Sequence, residues 1–131
     1  MPQWTHTKAF KHFDTVPRNV QWSWSARNEN TATVVVTLWQ DQFRRIDGRL
    51  IYDRSEYTPA ERRRPGFSEL MKNLLWARDH CDSRFKVIIA KAKDVNAHPR
   101  SIDDCFPSNM IMRLIHLDTT TGAFTAEAEG M

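Results

Sequence analysis

Residues 43–52 read FRRIDGRLIY, and this stretch decides which kind of fold the chain can adopt. Two runs of apolar and basic residues, 43–46 and 49–52, flank the dipeptide Asp47-Gly48. Asp-Gly accepts the positive φ angles of a two-residue type I′ turn, whose twist matches that of paired strands. The stretch therefore predicts an antiparallel β-hairpin.

The segment before this hairpin also predicts strands. Residues 20–26 alternate apolar and polar side chains, at the period of two that is typical of a half-buried strand. The polar residues 27–30 predict a turn, and residues 33–43 are rich in β-branched and aromatic side chains. Together they predict another hairpin, with Trp22 and Trp24 on its core side and the serines between them facing solvent.

One main amphipathic helix is predicted after an exposed connection. Residues 54–66 hold two prolines, a glycine and little apolar content, which is typical of a surface loop. Ser68 is a candidate N-cap, and apolar residues then recur at helical spacing up to about His80. One face of this helix is expected to pack on the sheet. A shorter helix is expected over residues 7–13.

The last third of the chain predicts a central strand and a final hairpin. Residues 85–90 are apolar and β-branched, whereas the prolines within 95–109 indicate a loop or a short helical turn. Residues 110–117 and 123–129 flank the turn-rich segment 118–122. These two runs are therefore expected to pair as antiparallel strands.

These elements predict one α+β domain over residues 1–131, with a mainly antiparallel curved sheet or partly closed β-barrel and one main amphipathic helix. Residues 1–18 are only weakly patterned. At fold level, a small basic β-rich barrel with tryptophans resembles the modified-base reading domains of the PUA, YTH and SRA type. The resemblance concerns architecture, so it implies a nucleic-acid reader by analogy alone.

Composition is that of an ordinary globular domain. The chain has 131 residues, of which 40% are apolar and 27% are charged, and this length can bury a core. Its longest apolar runs, such as 87–90, are far shorter than the roughly 20 residues of a membrane span. The start lacks the apolar region of a secretory signal. A cytoplasmic protein that does not cross a membrane is expected, with Cys81 and Cys105 both reduced.

No motif with a catalytic or metal-binding spacing is present. The five histidines include no pair at i, i+4 and no His-Glu-x-x-His arrangement. The four glycines form no phosphate-cradling loop, and no Gly-x-Ser-x-Gly elbow occurs. The sequence therefore predicts no catalytic residue, no metal site and no cofactor, and it favours a role that is not enzymatic.

Positive charge and tryptophan are the features that indicate a function. The net charge is +3, and all 19 Lys and Arg lie before residue 114. Phosphates need positive charge without special geometry, and unpaired bases stack on flat side chains. We therefore predict a nucleic-acid-binding module, in particular a modified-base or single-strand reader, with a solvated basic face as the plainer alternative. The predicted contacts with DNA or RNA are Arg44, Arg45, Arg49, Arg54, Arg62, Arg63, Arg64, Lys91, Lys93 and Arg100 for phosphates, and Trp39 and Trp76 for stacking.

Two other functions fit overlapping sets of residues. A protein-interaction domain, for example a homodimer, would use Trp76 as an anchor, because helical projection puts it roughly opposite the apolar stripe and Trp dominates interface hot spots. A metal-dependent nuclease would combine Asp41 or Asp53 with Lys91 and Asp94, although no acid-x-Lys triplet occurs in the chain.

Overall fold

The protein is built on one seven-stranded mixed sheet. Its computed structural model describes residues 4–19, 23–97 and 100–129, and the strand order is β1-β2-β5-β6-β7-β4-β3. The strands are β1 (Ser25–Asn28), β2 (Thr33–Trp39), β3 (Phe43–Ile46), β4 (Arg49–Arg54), β5 (Arg84–Ala92), β6 (Ile102–Leu117) and β7 (Phe124–Ala128), and the helices are α1 (His6–His12), α2 (Pro59–Arg62) and α3 (Pro65–His80). None of these helices is both long enough and apolar enough to span a membrane. The α+β class is confirmed.

The three predicted hairpins, β1–β2, β3–β4 and β6–β7, and the predicted central strand are confirmed. Asp47 and Gly48 have φ angles of 51° and 78°, in the left-handed region that a type I′ turn requires. β6 and β7 are antiparallel neighbours. β5 lies between β2 and β6, antiparallel to β6 but parallel to β2. This parallel pair makes the sheet mixed.

The strand predicted over residues 20–26 is wrong in its limits, and it is buried on both faces, whereas one face was predicted to be exposed to solvent. β1 begins only at Ser25, and residues 20–22 lie outside the described residues. Ser23 and Ser25, predicted to face solvent, are both buried. The Ser25 hydroxyl accepts a hydrogen bond of 2.8 Å from the side-chain amide of Asn73 on α3. This bond satisfies the polar groups, so a serine is tolerated in the interior.

The connection between β4 and β5 is more helical than predicted. α2 lies inside the segment predicted as a loop, and a capping box starts it: Thr58 Oγ1 accepts the Glu61 N–H, and the Glu61 carboxylate accepts the Thr58 N–H. Ser68 is not an N-cap, because α3 begins at Pro65 with Arg64 in the N-cap position. Proline suits the first turn, where its missing N–H has no helical partner to lose.

The loop predicted over residues 95–109 is wrong from residue 102 onwards. β6 begins there and continues through Pro107 to residue 117. A proline lacks the N–H that a central strand needs. The register between β5 and β6 shifts beside this proline, and the Ser108 hydroxyl donates to the Val87 carbonyl at 2.8 Å. The irregular pairing accommodates the missing donor.

A very short connection forces the sheet to curve. β2 is second in the strand order and β3 is last, yet only the 3₁₀ turn Gln40–Gln42 connects them. Five strand spacings in a flat sheet would separate the two by about 24 Å. The four residue steps from Trp39 to Phe43 span at most about 14 Å. The sheet therefore folds back over its core, although its hydrogen-bonded order runs open from β1 to β3 among the described residues.

Two apolar clusters lie on the two faces of this sheet. The larger cluster packs under α3, and the smaller one packs under α1. The larger includes Val36, Leu38, Leu70, Leu74, Phe85, Val87, Met112 and Phe124, and the smaller includes Phe10, Val35, Trp39, Ile88, Ala90 and Cys105. We call these the α3 face and the α1 face. Both cysteines are free, as expected.

Gly122→Ala is expected to destabilise the protein far more than Gly48→Ala. Both glycines have positive φ angles, 83° and 78°, so alanine is strained at either position. A Cβ at position 122 would lie 2.5 Å from side-chain carbons of Phe67 and Tyr57, whereas one at position 48 meets nothing within 4 Å. Urea unfolding should show a loss of about 1 kcal/mol for Gly48→Ala and at least about 3 kcal/mol for Gly122→Ala. Equal losses would contradict this packing.

His6 is expected to make the stability depend on pH. Its Nε2 lies 2.7 Å from the Thr37 hydroxyl, and burial lowers its pKa from 6.5 to about 4. Between these two values the unfolded chain binds a proton that the folded protein excludes. The free energy of unfolding therefore falls as the pH falls from about 6.5 to 4, by up to about 3 kcal/mol.

Urea unfolding at several pH values between 7 and 4 checks this expectation. His6→Gln should remove the part of the slope that His6 contributes. His12→Gln changes an exposed histidine of the same helix, so it is the matched control and should leave the slope in place. A profile that is identical in the unaltered protein and in His6→Gln would show that His6 titrates normally in the fold.

Candidate nucleic-acid interface

The seven arginines of residues 44–64 are divided between the two faces of the β3–β4 hairpin and the α2 region. Alternation along the strands puts Arg44 and Arg49 on one face and Arg45 and Arg54 on the other. Arg44 Nη2 lies 2.6 Å from Asp53 Oδ2, and Arg49 Nε lies 3.3 Å from Glu127 Oε1. Carboxylates of the neighbouring strands β4 and β7 therefore neutralise these two predicted phosphate contacts.

Arg54 and Arg62 fasten α2 to the sheet. Arg54, with 17% of its side chain exposed, places Nη2 3.1 Å from Glu61 Oε2 and Cζ 4.0 Å from the Tyr57 ring centroid. Arg62 Nη1 donates to the Thr120 carbonyl at 3.3 Å. The Nε atoms of both arginines are buried and have no hydrogen-bond partner among the described residues. Both side chains therefore contact other parts of the protein, and their main role is to hold α2 against the sheet.

Arg45, Arg63 and Arg64 are the exposed arginines of this region that have no ion pair among the described residues. Arg45 makes one long hydrogen bond, 3.4 Å, to the Gly48 carbonyl. Arg63 and Arg64 form no ion pair with any residue that the structure describes. These three charges therefore remain available to an anionic partner.

Trp39 and Arg100 meet at the corner where β2 turns into β3. Arg100 Nη1 and Nη2 lie 2.7 and 2.9 Å from the two carboxylate oxygens of Asp41, and Arg100 Cζ lies 5.2 Å from the Trp39 ring centroid. The hydrogen bond between them lowers the pKa of Asp41 and raises the pKa of Arg100. Trp39 is 9% exposed, and Trp24 packs against it with a centroid distance of 5.6 Å. The Trp39 ring is therefore part of the core, and the Arg100–Asp41 ion pair covers it.

Lys91 and Lys93 lie at the end of β5, and both are exposed. Lys91 faces Asp104 across the β5–β6 pair, and the Lys93 N–H donates to the Ser101 carbonyl at 3.0 Å. Neither ammonium group forms an ion pair within the described ranges. The pair is a small cationic patch, and none of the described tryptophans is recorded in contact with it.

The residues of the nuclease interpretation do not form a metal site. Asp41 and Asp53 each face an arginine, at 2.7 and 2.6 Å. Asp94 Oδ1 accepts the Asn96 N–H at 2.9 Å. Among the residues that the structure describes, no three His, Cys, Asp or Glu side chains lie close enough together to hold a metal ion. This interpretation has no geometric support there.

The side of α3 that faces β1 carries an accessible aromatic stack. Trp76 is half-buried, and the exposed His80 ring stacks on its indole with a centroid distance of 4.4 Å and an interplanar angle of 16°. Arg27 of β1 places Cζ 5.5 Å from the indole centroid and pairs with Glu29 at 2.9 Å. Trp76 and His80 thus form a two-ring stack, and the His80 imidazole is the ring that is exposed to solvent.

A pocket of about 250 Å³ opens at the same side of α3, and Arg27 links it to the stack. Exposed Arg18 and Lys72 and half-buried Arg27 supply positive charge at its rim. Its lining residues are Val16, Arg18, Ala26, Arg27, Glu69, Lys72 and Asn73. We use the name α3 flank for the surface formed by Arg18, Arg27, Lys72, Trp76 and His80.

Glu69 is a buried carboxylate at the back of this pocket. It is 6% exposed, and Oε2 accepts the Arg18 N–H over a long 3.4 Å. Oε1 is buried and finds no hydrogen-bond partner among the described residues. Asn73, 5% exposed, donates its side-chain N–H to the Ser25 hydroxyl. The pocket therefore combines hydrogen-bond acceptors inside with positive charge at its mouth.

Of the predicted stacking residues, the structure leaves Trp76 accessible and buries Trp39. Sequence reasoning did not select Arg18, Arg27 or Lys72. Lys72 could have been found, because it is four positions before Trp76 and such residues share one side of a helix. Arg27 fell in a predicted turn, and nothing in the sequence connects Arg18 with α3.

A second, larger depression of about 420 Å³ lies on the α1 face between α1, β5 and β6. Its lining includes Phe13, Lys86, Ser108 and Asn109, and Lys86 Nζ lies 5.8 Å from the Phe13 ring centroid. None of the buried, unpaired polar atoms recorded for the described residues belongs to this depression. It offers less specific chemistry than the pocket of the α3 flank.

No protein-family model, curated protein or solved structure matches this chain. The geometry of the α3 flank and its pocket is therefore the basis on which a function is proposed.

Arg100→Lys is expected to lower the free energy of unfolding by about 1–2 kcal/mol. Lysine keeps the charge but loses the bidentate contact with Asp41 and the planar contact with Trp39. The two paired side chains are only 15% and 36% exposed, so water compensates incompletely. Arg45→Lys is the control in urea unfolding, because Arg45 is exposed, and its effect should stay within about 0.5 kcal/mol. Equal effects would show that the ion pair does not brace the corner.

Proposed function

We propose that the protein binds single-stranded nucleic acid along the α3 flank. The observation that carries this proposal is the stack of His80 on Trp76, 4.4 Å apart and nearly parallel, beside the cations Arg27 and Lys72. Flat side chains that accept bases and cations that accept phosphates are the two parts of a single-strand site. The geometry supplies both on one side of one helix.

The arrangement favours a single strand over a duplex. Bases within a duplex stack on each other, so a protein ring gains contact only with a base that is splayed out or unpaired. The exposed His80 ring offers such a base an outer plane. The rim residues Arg18, Arg27 and Lys72 then lie where the phosphates of the same strand can follow.

The cations at the start of α3 extend this surface. Arg63 and Arg64 lie just before the helix, and twelve residues from Arg64 to Trp76 correspond to about 18 Å along the axis. A strand that runs beside α3 can contact both ends. In this proposal the phosphate contacts are Arg18, Arg27, Lys72, Arg63 and Arg64, whereas Arg44, Arg49, Arg54 and Arg100 mainly hold carboxylates.

More specifically, we propose a modified-base reader of the PUA, YTH or SRA type. We also propose that the protein is cytoplasmic. The folded-back sheet suits the former, since the β2–β3 corner brings distant strands together. The proposal itself needs only the α3 flank.

A protein-interaction role with Trp76 as an anchor would use some of the same residues. The exposed isoleucines Ile46, Ile111 and Ile115 add apolar surface elsewhere on the sheet, and apolar side chains at a surface favour association. Light scattering of the unaltered protein and of Trp76→Ala distinguishes the two roles. A dimer that Trp76→Ala dissociates, without any binding of nucleic acid, would replace the present proposal.

Trp76→Ala is expected to weaken binding to a short single strand by about 5- to 100-fold, because the His80 ring that stacks on the base loses the indole that supports it. Fluorescence polarisation with labelled single-stranded DNA and RNA measures this change. Trp4→Ala is the matched control, because Trp4 is an exposed indole near α1 and should leave the affinity unchanged. Equal affinity of both variants would remove Trp76 from the site.

The salt dependence of the same binding provides an independent check. The five phosphate contacts of this proposal predict a log–log slope of about −3.5, and each lost contact reduces its magnitude by about 0.7. Lys72→Ala should therefore reduce the slope and lower the affinity at low salt. Lys86→Ala, at an exposed position on the α1 face, is the control. A slope near zero in the unaltered protein contradicts phosphate binding.

A further inference from the structure

The unpaired carboxylate oxygen of Glu69 is the feature of this molecule that most needs a partner. Buried polar atoms in proteins almost always make a hydrogen bond, and a buried charge without one is costly. Glu69 Oε1 is buried without a partner among the described residues, and Oε2 has one long bond to the Arg18 N–H. Glu69 is one of the residues that line a pocket open to solvent. A ligand that reaches the carboxylate from this pocket would supply the missing hydrogen bonds.

The charges at the mouth limit what can enter. Arg18 and Lys72 are exposed there, and Arg27 is beside them. Three cations repel an amine or another cationic ligand, which a lone carboxylate would otherwise favour. They attract a ligand that carries negative charge at its outer end. The occupant thus has a neutral head with N–H donors and an anionic tail.

The size of the pocket limits the head. About 250 Å³ is below the roughly 300–1,000 Å³ of pockets that enclose a drug-sized ligand. One small group fits, and the backbone that follows it must remain at the rim. A single nucleobase with its phosphate outside meets both limits.

Hydrogen-bond chemistry then selects the base. The two oxygens of a carboxylate are acceptors only, and they match two adjacent N–H donors. Among the common bases only guanine offers two, N1–H and the 2-amino group, side by side on its Watson–Crick edge. Adenine, cytosine and uracil or thymine each place at least one acceptor beside their donor.

We propose that the pocket of the α3 flank binds the guanine of a guanine nucleotide, with Glu69 accepting from N1–H and the 2-amino group and with Arg18, Arg27 and Lys72 holding the phosphate. The guanine can come from a single strand or from a free nucleotide. The single-strand source rests on the function proposed above, whereas the free nucleotide does not. Glu69 sets the base preference in either case.

Ligand substitutions test the hydrogen bonds without altering the fold. Fluorescence polarisation compares oligonucleotides that differ at one central base in an otherwise thymine strand. Guanine should bind roughly tenfold tighter than adenine, cytosine or thymine. Hypoxanthine lacks the 2-amino group and should lose most of this preference, whereas 7-deazaguanine keeps both donors and should bind like guanine.

Glu69→Gln tests the protein side of the same contact. It keeps the size of the side chain but replaces one acceptor by a donor, so the preference for guanine over adenine should fall roughly tenfold. Glu56→Gln removes the same charge from an exposed position between β4 and α2 and should leave the preference unchanged. Circular dichroism and urea unfolding of both variants establish that they are folded. A folded Glu69→Gln with unaltered preference overturns the inference.

Guanosine 5′-monophosphate, measured by isothermal titration calorimetry on the full chain, separates the two sources. Strand binding without any preference for guanine overturns the pocket inference and leaves the proposed function standing. Binding of the mononucleotide, abolished by Glu69→Gln, with no affinity for any strand, supports the pocket and overturns the proposed function. Absence of binding to strands and to the mononucleotide overturns both.

Discussion

The three-residue connection from β2 to β3 is the constraint on which the rest of this structure depends. It joins strands that are five positions apart in the sheet, so the sheet has to fold back on itself. The long strand β6 takes up this bend, because it pairs with β5 along its first part and with β7 along its last. One side of the folded sheet encloses the larger cluster, and α3 covers that cluster. The position of α3 beside β1 follows.

This geometry divides the cations of the protein into two groups. Where strands lie side by side, arginines find carboxylates on the same hairpin, on a neighbouring strand or across the β2–β3 corner, and these pairs stabilise the fold. Beside α3, Arg27 pairs with Glu29 and Arg78 pairs with Asp79, and Glu69 is buried. No ion pair of Arg18 or Lys72 is present among the described residues. Arg18 and Lys72 therefore keep their charge in solvent. The unpaired charges of Arg18 and Lys72 therefore lie next to Glu69. Among the described residues, Glu69 is the one buried carboxylate with an oxygen that has no hydrogen-bond partner.

Local features of the sequence predicted local features of the fold. The Asp47-Gly48 turn, the helix up to His80 and the strand around 85–90 depend on neighbouring residues, and they were predicted correctly. The inward-facing serines were not predicted, because Ser25 is satisfied by Asn73, which is 48 positions away. The strand through Pro107 was missed for a similar reason, since a shift in the pairing with β5 accommodates the proline.

The candidate site was predictable only in part. Helical projection selected Trp76 as roughly opposite the apolar stripe, but Trp76 is half-buried and packs against the larger cluster. The pairing of Arg100 with Asp41 joins residues 59 positions apart, and that of Arg49 with Glu127 joins opposite ends of the chain. A single sequence gives no sign of such partners, so paired and unpaired arginines looked alike. Arg18 reaches the pocket through a segment with no recognisable pattern.

The place of β7 in the sheet makes completion of the sheet depend on residues 124–128, which are synthesised after every other strand described. β7 lies between β6 and β4, so the β3–β4 hairpin has no strand to join until residues 124–128 have left the ribosome. Translation at about 5–20 residues per second leaves the apolar strand β2 without its parallel neighbour for several seconds. An apolar edge exposed for that time invites pairing with other nascent chains.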